Sequence, residues 1–263
     1  MRLTDLLAGD GWKRLLYPPL GIALALILWH WVCVQFGIST TVLPKPGLVL
    51  DAAIARRALL AAESWVTFKE TVYGFVLALA LGVPIAVAIT ASKTLNLMFA
   101  PLLIALQSVP KVALAPILLV WLGTGIESKL AIAWLVAFFP IVVDTAAGLQ
   151  STPRELLELA RSLRASRWQI FSKVQFPAAL PYIVTGSKVA VTLAVIGAVI
   201  GEFVGSSEGL GYLLLTATSQ IDSPLAFAAL FALAALGILV YLAVVAAEWL
   251  LAPLLPPAAD RRD

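Results

Sequence analysis

TVYGFVLALALGVPIAVAITAS, residues 71–92, contains no charged side chain. At 1.5 Å per residue an α-helix of this length crosses the roughly 30 Å of hydrocarbon in a bilayer, so the stretch reads as a membrane span. Tyr17 to Phe36 repeats the pattern, again without a charge. The whole chain follows suit. Of 263 residues, 61% are hydrophobic and 13% charged, and the mean hydropathy is +0.98. A soluble domain carries about 25% charged residues, so lipid is the solvent for most of this chain.

Four further apolar stretches extend outward from these two. Residues 100–121 are interrupted by Pro101, Pro110 and Pro116 and contain Lys111. Prolines at these positions remove backbone donors and predict a kinked or partly unwound middle. The others cover about 130–149, 182–204 and 225–251. The expected fold is therefore all-α and integral to the membrane: one domain over residues 1–263 with six transmembrane helices. Asp5, Asp10, Lys13 and Arg14 precede the first span, which lacks the short core and small-residue cleavage site of a secretory signal, so it is read as retained.

Six crossings put both termini on one side, and the basic residues choose which. Arg2, Lys13, Arg14, Lys93, Arg154, Arg161, Arg164, Arg167, Lys173, Arg261 and Arg262 fall together, against Lys45, Arg56, Arg57, Lys69 and Lys129 opposite. Lysine and arginine gather on the cytoplasmic face, which places both termini in the cytoplasm. The net charge of +3 follows from these loops and forms no aromatic-laced basic patch, so no nucleic-acid partner is expected. Arg56 and Arg57 lie in an external segment long enough for a short surface helix.

Residues 151–180, between the fourth and fifth spans, are too polar for lipid and too regular for a simple connector. Thr152 and Pro153 read as a cap and first-turn proline. Leu156, Ala160, Leu163 and Arg167 then recur at helical spacing. A second short helix, from Trp168 to Val174, carries Ile170, Phe171 and Val174 at the same spacing, with Pro177 and Pro181 closing it. From periodicity alone, the pair is either an amphipathic element resting on the bilayer or a docking site for a soluble partner.

The order Glu158-Leu159-Ala160, then Arg164, then Val174-Gln175-Phe176-Pro177 resembles the EAA loop of ATP-binding-cassette (ABC) importer permeases. Leu43-Pro44-Lys45-Pro46, Ser108-Val109-Pro110, Trp121-Leu122-Gly123-Thr124-Gly125, Gly201-Glu202-Phe203-Val204 and Gly209-Leu210-Gly211-Tyr212 extend the resemblance to the nitrate, sulfonate, taurine and bicarbonate branch of that family. The resemblance implies a bacterial cytoplasmic-membrane permease, paired with a second copy of itself and served by a periplasmic or lipid-anchored substrate-binding protein. Two cytoplasmic ATPase subunits would hold ATP and Mg²⁺. The coupling residues it implies are Glu158, Leu159, Ala160, Leu163, Arg164, Ala165, Ser166 and Trp168. The sequence departs from the family pattern at Leu159 and Phe176, and most sharply at Arg164, where glycine is usual. An arginine at a left-handed bend costs on the order of 1 kcal/mol.

No cofactor is expected in this chain. It contains no Gly-x-x-x-x-Gly-Lys-Ser/Thr loop, and one cysteine and one histidine cannot build a Cys/His metal cluster. His30 and Cys33, one turn apart, read as core packing. Tryptophans 12, 29, 31, 65, 121 and 249 read as anchors at span ends.

Ionisable residues at membrane depth are costly and tend to face the bundle interior. Lys111 and Glu202 are the candidates for the translocation path. Lys111 sits where broken backbone can line a cavity and attract an anion, while Glu202, beside Gly201 and Gly205, reads either as a structural ion pair or as a gate. Lys188 is expected to reach cytoplasmic headgroups, and Asp144 to cap or pair within the protein. A stand-alone secondary carrier is the alternative, although the internal repeat such carriers show is not evident here. An embedded enzyme would need a nucleophile, base or metal constellation that the sequence does not offer.

Overall fold

The computed structural model describes residues 11–251, and the side chains of all of these except 11–15, 104 and 251. Arg2, Asp5, Asp10, Arg261 and Arg262, used above in reading the termini, lie outside the described residues, as do the side chains of Trp12, Lys13 and Arg14. Every regular element among the described residues is helical, as lipid demands, because only a helix or a closed barrel satisfies its own backbone there. Five helices are long and apolar enough to cross a membrane: Leu16–Gln35, Arg57–Ala91, Ile126–Gln150, Arg167–Gly205 and Ser223–Leu250. A sixth candidate is a pair of shorter helices, Lys93–Gln107 and Lys111–Leu122, which meet at 87°.

The chain divides into two compact units, Met1–Leu60 with Leu213–Phe231, and Ala61–Tyr212 with Ala232–Asp263. In the first, α1 (Gly11–Gln35) leads through a turn at Gly37 to α2 (Pro46–Ala55), a short helix opened by proline in its first turn. A short helix is expected here; Arg56 is its C-cap, and Arg57 already begins the next helix. The indole of Trp29 lies 5.8 Å from the ring of Phe227 and 5.9 Å from that of Phe231. Cys33 is buried with its thiol toward the carbonyl of Leu43, whereas His30, read as core with it, lies on an exposed face.

In the second unit, α3 (Arg57–Ala91), α6 (Ile126–Gln150) and α9 (Phe176–Gly205) pack through small residues. Lipid tails are as apolar as leucine, so close backbone approach and dispersion, not exclusion of water, hold such helices together. Ala133 of α6 is the tightest point. A Cβ on Gly74 of α3 would stand 2.5 Å from the Ala133 Cβ, and one on Gly197 of α9 would stand 2.6 Å from its Cα. Ala78, Ala137, Ile141, Ala190 and Ala194 continue the core, flanked by Phe75, Trp134 and Phe138.

Between them, α4 (Lys93–Gln107) is capped by Ser92, whose hydroxyl accepts from Leu95 N at 3.4 Å. A 3₁₀ turn, Lys111–Leu114, and α5 (Ala115–Leu122) follow. Of the three prolines expected to break this span, only Pro110 does so. Pro101 lies inside α4, and Pro116 occupies the first turn of α5, where no donor is missed.

Candidate functional site

The 151–180 segment folds as α7 (Arg154–Ser162), a bend, and α8 (Arg167–Ile170). Thr152 does not cap α7 as expected; its hydroxyl turns back to the Leu149 carbonyl, and Pro153 takes the N-cap position. The bend is fully hydrogen-bonded at both edges. Ala165 N donates to Ala160 O at 3.0 Å and Arg164 N to Arg161 O at 2.9 Å, the paired bonds of a Schellman motif. Its geometry requires a left-handed residue, and Arg164 supplies it at φ 54°. The arginine has therefore replaced glycine without rebuilding the turn. On the far edge, Ser166 and Gln169 exchange bonds of 2.7 and 3.3 Å in a capping box that starts α8.

Pro177 and Pro181 do not end this second helix. A π-helical turn, Phe171–Gln175, joins α8 to α9, so helix runs without interruption from Arg167 to Gly205. A proline ring needs space at the carbonyl four residues back, and the wider π turn lies where that space is needed for Pro177. Along the knuckle, Glu158, Arg164 and Ser166 are exposed, and Ala160 and Ala165 half-buried. Leu159 is 56%, Leu163 73% and Trp168 71% exposed. Large apolar side chains thus stand far out of a folded, polar element.

Glu202, the second path candidate, is 1% exposed. Its carboxylate accepts from Thr67 Oγ1 at 2.6 Å and from Gly211 N at 2.5 Å. Thr67 Oγ1 in turn accepts from Leu210 N at 2.8 Å, and Gly209 N donates to Glu63 Oε2. Glu70 is also 1% exposed, and its Oε2 has no hydrogen-bond partner. Gly209 and Gly211 are needed here: the first has φ 102°, and a Cβ on the second would lie 2.6 Å from Glu202 Oε2.

Sequence reading missed Glu63, Thr67, Glu70 and Lys129. The signal was present, since 63, 67 and 70 follow i, i+4, i+7 spacing and share one helix face, but an apolar run starting at Thr71 left them outside the span.

Lys111, the first path candidate, bonds through Nζ to the Gln107 carbonyl at 3.2 Å and sits 4.8 Å from the centre of the Phe139 ring. It shares an open cleft of about 430 Å³ with Gln107, Val136, Phe139, Asp144 and Leu193. Lys188 does not extend alone toward headgroups. It pairs with Glu248 on α11 (Ser223–Leu251), Nζ to Oε2 2.6 Å.

Long apolar helices with an exposed apolar knuckle on one polar loop define an integral membrane protein. A family model described as binding-protein-dependent transport system inner membrane component matches residues 74–253. The chain is 36% identical over 239 residues to the formylaminopyrimidine transport permease protein ThiX of Halalkalibacterium halodurans, covering 90% of this chain and 95% of that protein. It is 27% identical over 239 residues to the taurine transport system permease protein TauC of Escherichia coli, covering 88% and 87%. Among solved structures, the inward-facing MetNI methionine ABC transporter shares the fold at a TM-score of 0.58 and 21% identity, covering 72% of this chain and 98% of that one.

The chain belongs to the binding-protein-dependent transport system inner membrane components, and is the permease subunit of an ABC importer in the cytoplasmic membrane. The resemblance drawn from the 158–177 pattern is thus met, and the stand-alone carrier gains no support.

Proposed function

We propose that two copies of this chain, each crossing the membrane six times with both termini in the cytoplasm, enclose the path of a small solute handed over by an external binding protein. Two cytoplasmic ATPase subunits, which bind ATP and Mg²⁺, supply the work; the permease itself catalyses nothing. The solute is a small anion or small organic compound, consistent with the pyrimidine and taurine permeases among its relatives.

One observation carries this reading: Leu163 and Trp168 are exposed on a bend made rigid from both sides. An ATPase groove that covers them gains apolar burial of about 1.5–3 kcal/mol for each side chain. Glu158 and the neighbouring arginines set the register, since rim charges act more on rate and orientation than on affinity. Uninterrupted helix from Arg167 then carries the movement into the membrane as a rigid body.

Lys111 and Asp144 line the cleft through which solute passes, with Lys111 attracting a negative group. The near-complete burial of Glu202 and its bonds from Thr67 and Gly211 support a hydrogen-bonded structural role, in place of the expected ion pair, over a gate. The test is co-purification of the ATPase with Leu163→Ala and Glu158→Lys permease. Loss of most of the bound ATPase from Leu163→Ala, with the permease still folded, is expected; undiminished capture and hydrolysis would rule out this loop as the coupling element.

A further inference from the structure

Three successive backbone amides, Gly209, Leu210 and Gly211, open α10 (Leu210–Ser219), and each is held by a side chain of another helix. Their acceptors are Glu63 Oε2, Thr67 Oγ1 and Glu202 Oε2, from α3 and α9. A helix begins with unpaired donors and a partial positive charge, which a local Ser, Thr or Asp usually satisfies. Here the residues just before α10 do not do so. Ser206 Oγ bonds instead to Glu208, and the cap is delivered by two other helices.

Thr67 is the pivot of this arrangement. It donates to Glu202 and accepts from Leu210, so its single hydroxyl joins α3, α9 and α10, and it is fully buried. Fixing a turn is not by itself a reason to bury Glu70 and Glu202 at 1% exposure, with Lys129 at 4%. Buried ionisable groups are a costly way to pack, because each must be compensated inside the protein.

We infer that Glu63, Thr67 and Glu202 act as positioning residues for transport, holding the first turn of α10 so that an event at the outer end of α9 and α10 is transmitted to α3 and α9. The inference rests on the importer reading above, which puts this end on the side of the binding protein. None of the three touches solute. Their role is to make the docking of a partner on the outer surface and the arrangement of the spans mutually dependent, so that the ATPase responds to a loaded binding protein.

The experiment uses the whole complex, permease with its ATPase in lipid nanodiscs, and the transporter's own binding protein carrying the solute it retains on purification. Hydrolysis is measured with and without binding protein, alongside hydrogen exchange of the amides of residues 209–212. Thr67→Val keeps the shape and removes the hydroxyl, leaving Leu210 N without its acceptor. Stimulation by binding protein should fall roughly tenfold, within the range of ordinary coupling energies, while the basal rate stays near wild type. Exchange at Leu210 should rise by about the same factor.

Thr67→Ser, which restores the hydroxyl, should restore both; a merely structural contribution of the methyl group would leave them lost. If Thr67→Val does not assemble, Glu63→Gln at the half-buried rim replaces it, with smaller changes in the same direction expected. A wild-type complex that binding protein does not stimulate would overturn the importer reading, and this inference with it. Normal stimulation of both the wild type and the assembled variants would overturn the inference alone.

Discussion

Lys188 of α9 and Glu248 of α11 form an ion pair, 2.6 Å from Nζ to Oε2, in a part of the chain surrounded by apolar residues. Each is the other's compensation for leaving water. Lys188→Met alone is expected to destabilise the permease by about 1 kcal/mol, because Glu248 loses its partner while a third of its side chain stays exposed. The double variant Lys188→Met with Glu248→Leu should recover most of that loss. Thermal melting of the detergent-solubilised complex measures both, and equal melting of the single and double variants would show that the pair is not coupled.

Arg164 tests whether the bend or the arginine matters. Replacing it with glycine removes the left-handed strain and should raise the stability of the knuckle by roughly 1 kcal/mol. Valine, β-branched and ill suited to φ 54°, should lower it. Hydrogen exchange of Ala165 N, bonded to Ala160 O, is the readout. Weaker ATPase capture by Arg164→Gly, despite slower exchange there, would show that the guanidinium itself contacts the partner.

Gly197 sets how close α9 comes to α6. A methyl group there meets Ala133 Cα at 2.6 Å and the Ile132 carbonyl at 3.0 Å, both backbone, so the helices must separate. Gly197→Ala is expected to cost about 1–3 kcal/mol by overpacking. Gly237→Ala, at a position with nothing within 4 Å, is the matched control and should be neutral. Similar melting temperatures for the two variants would contradict the close approach.

Lys111→Met should reduce solute uptake by reconstituted transporter about tenfold if the lysine attracts a negative group, while the amount of folded complex is maintained. Asp144→Asn, across the same cleft, should change uptake less for an anion and more for a solute bearing an amine. Uptake that falls only in step with folded protein would assign Lys111 to packing, on the Gln107 carbonyl and the Phe139 ring.

How far the sequence could be read depended on whether the deciding interaction was local. Apolar length gave the long helices, because the hydrocarbon allows no other backbone solution. The break at Pro110 and the two helices of the knuckle were also legible, since caps and prolines act within a turn or two. Pro177 misled because its consequence is decided by the π turn before it, which no propensity signals. Glu202 was picked out by composition, but its partner Thr67 comes from α3, and nothing local pairs residues 135 positions apart. The start of α3 at Arg57 had the same effect, bringing Glu63, Thr67 and Glu70 into a helix that hydropathy alone begins at Thr71.

Helix that continues for 39 residues from Arg167 to Gly205 measures about 58 Å, close to twice the hydrocarbon thickness. Treated as a rod pivoting at one end, it turns a small rotation into a large displacement. A tilt of about 5° at the Trp168 end sweeps the opposite tip through roughly 5 Å, more than a hydrogen bond survives. The π turn at Phe171–Gln175 lies near the Arg167 end, so most of that length is α9.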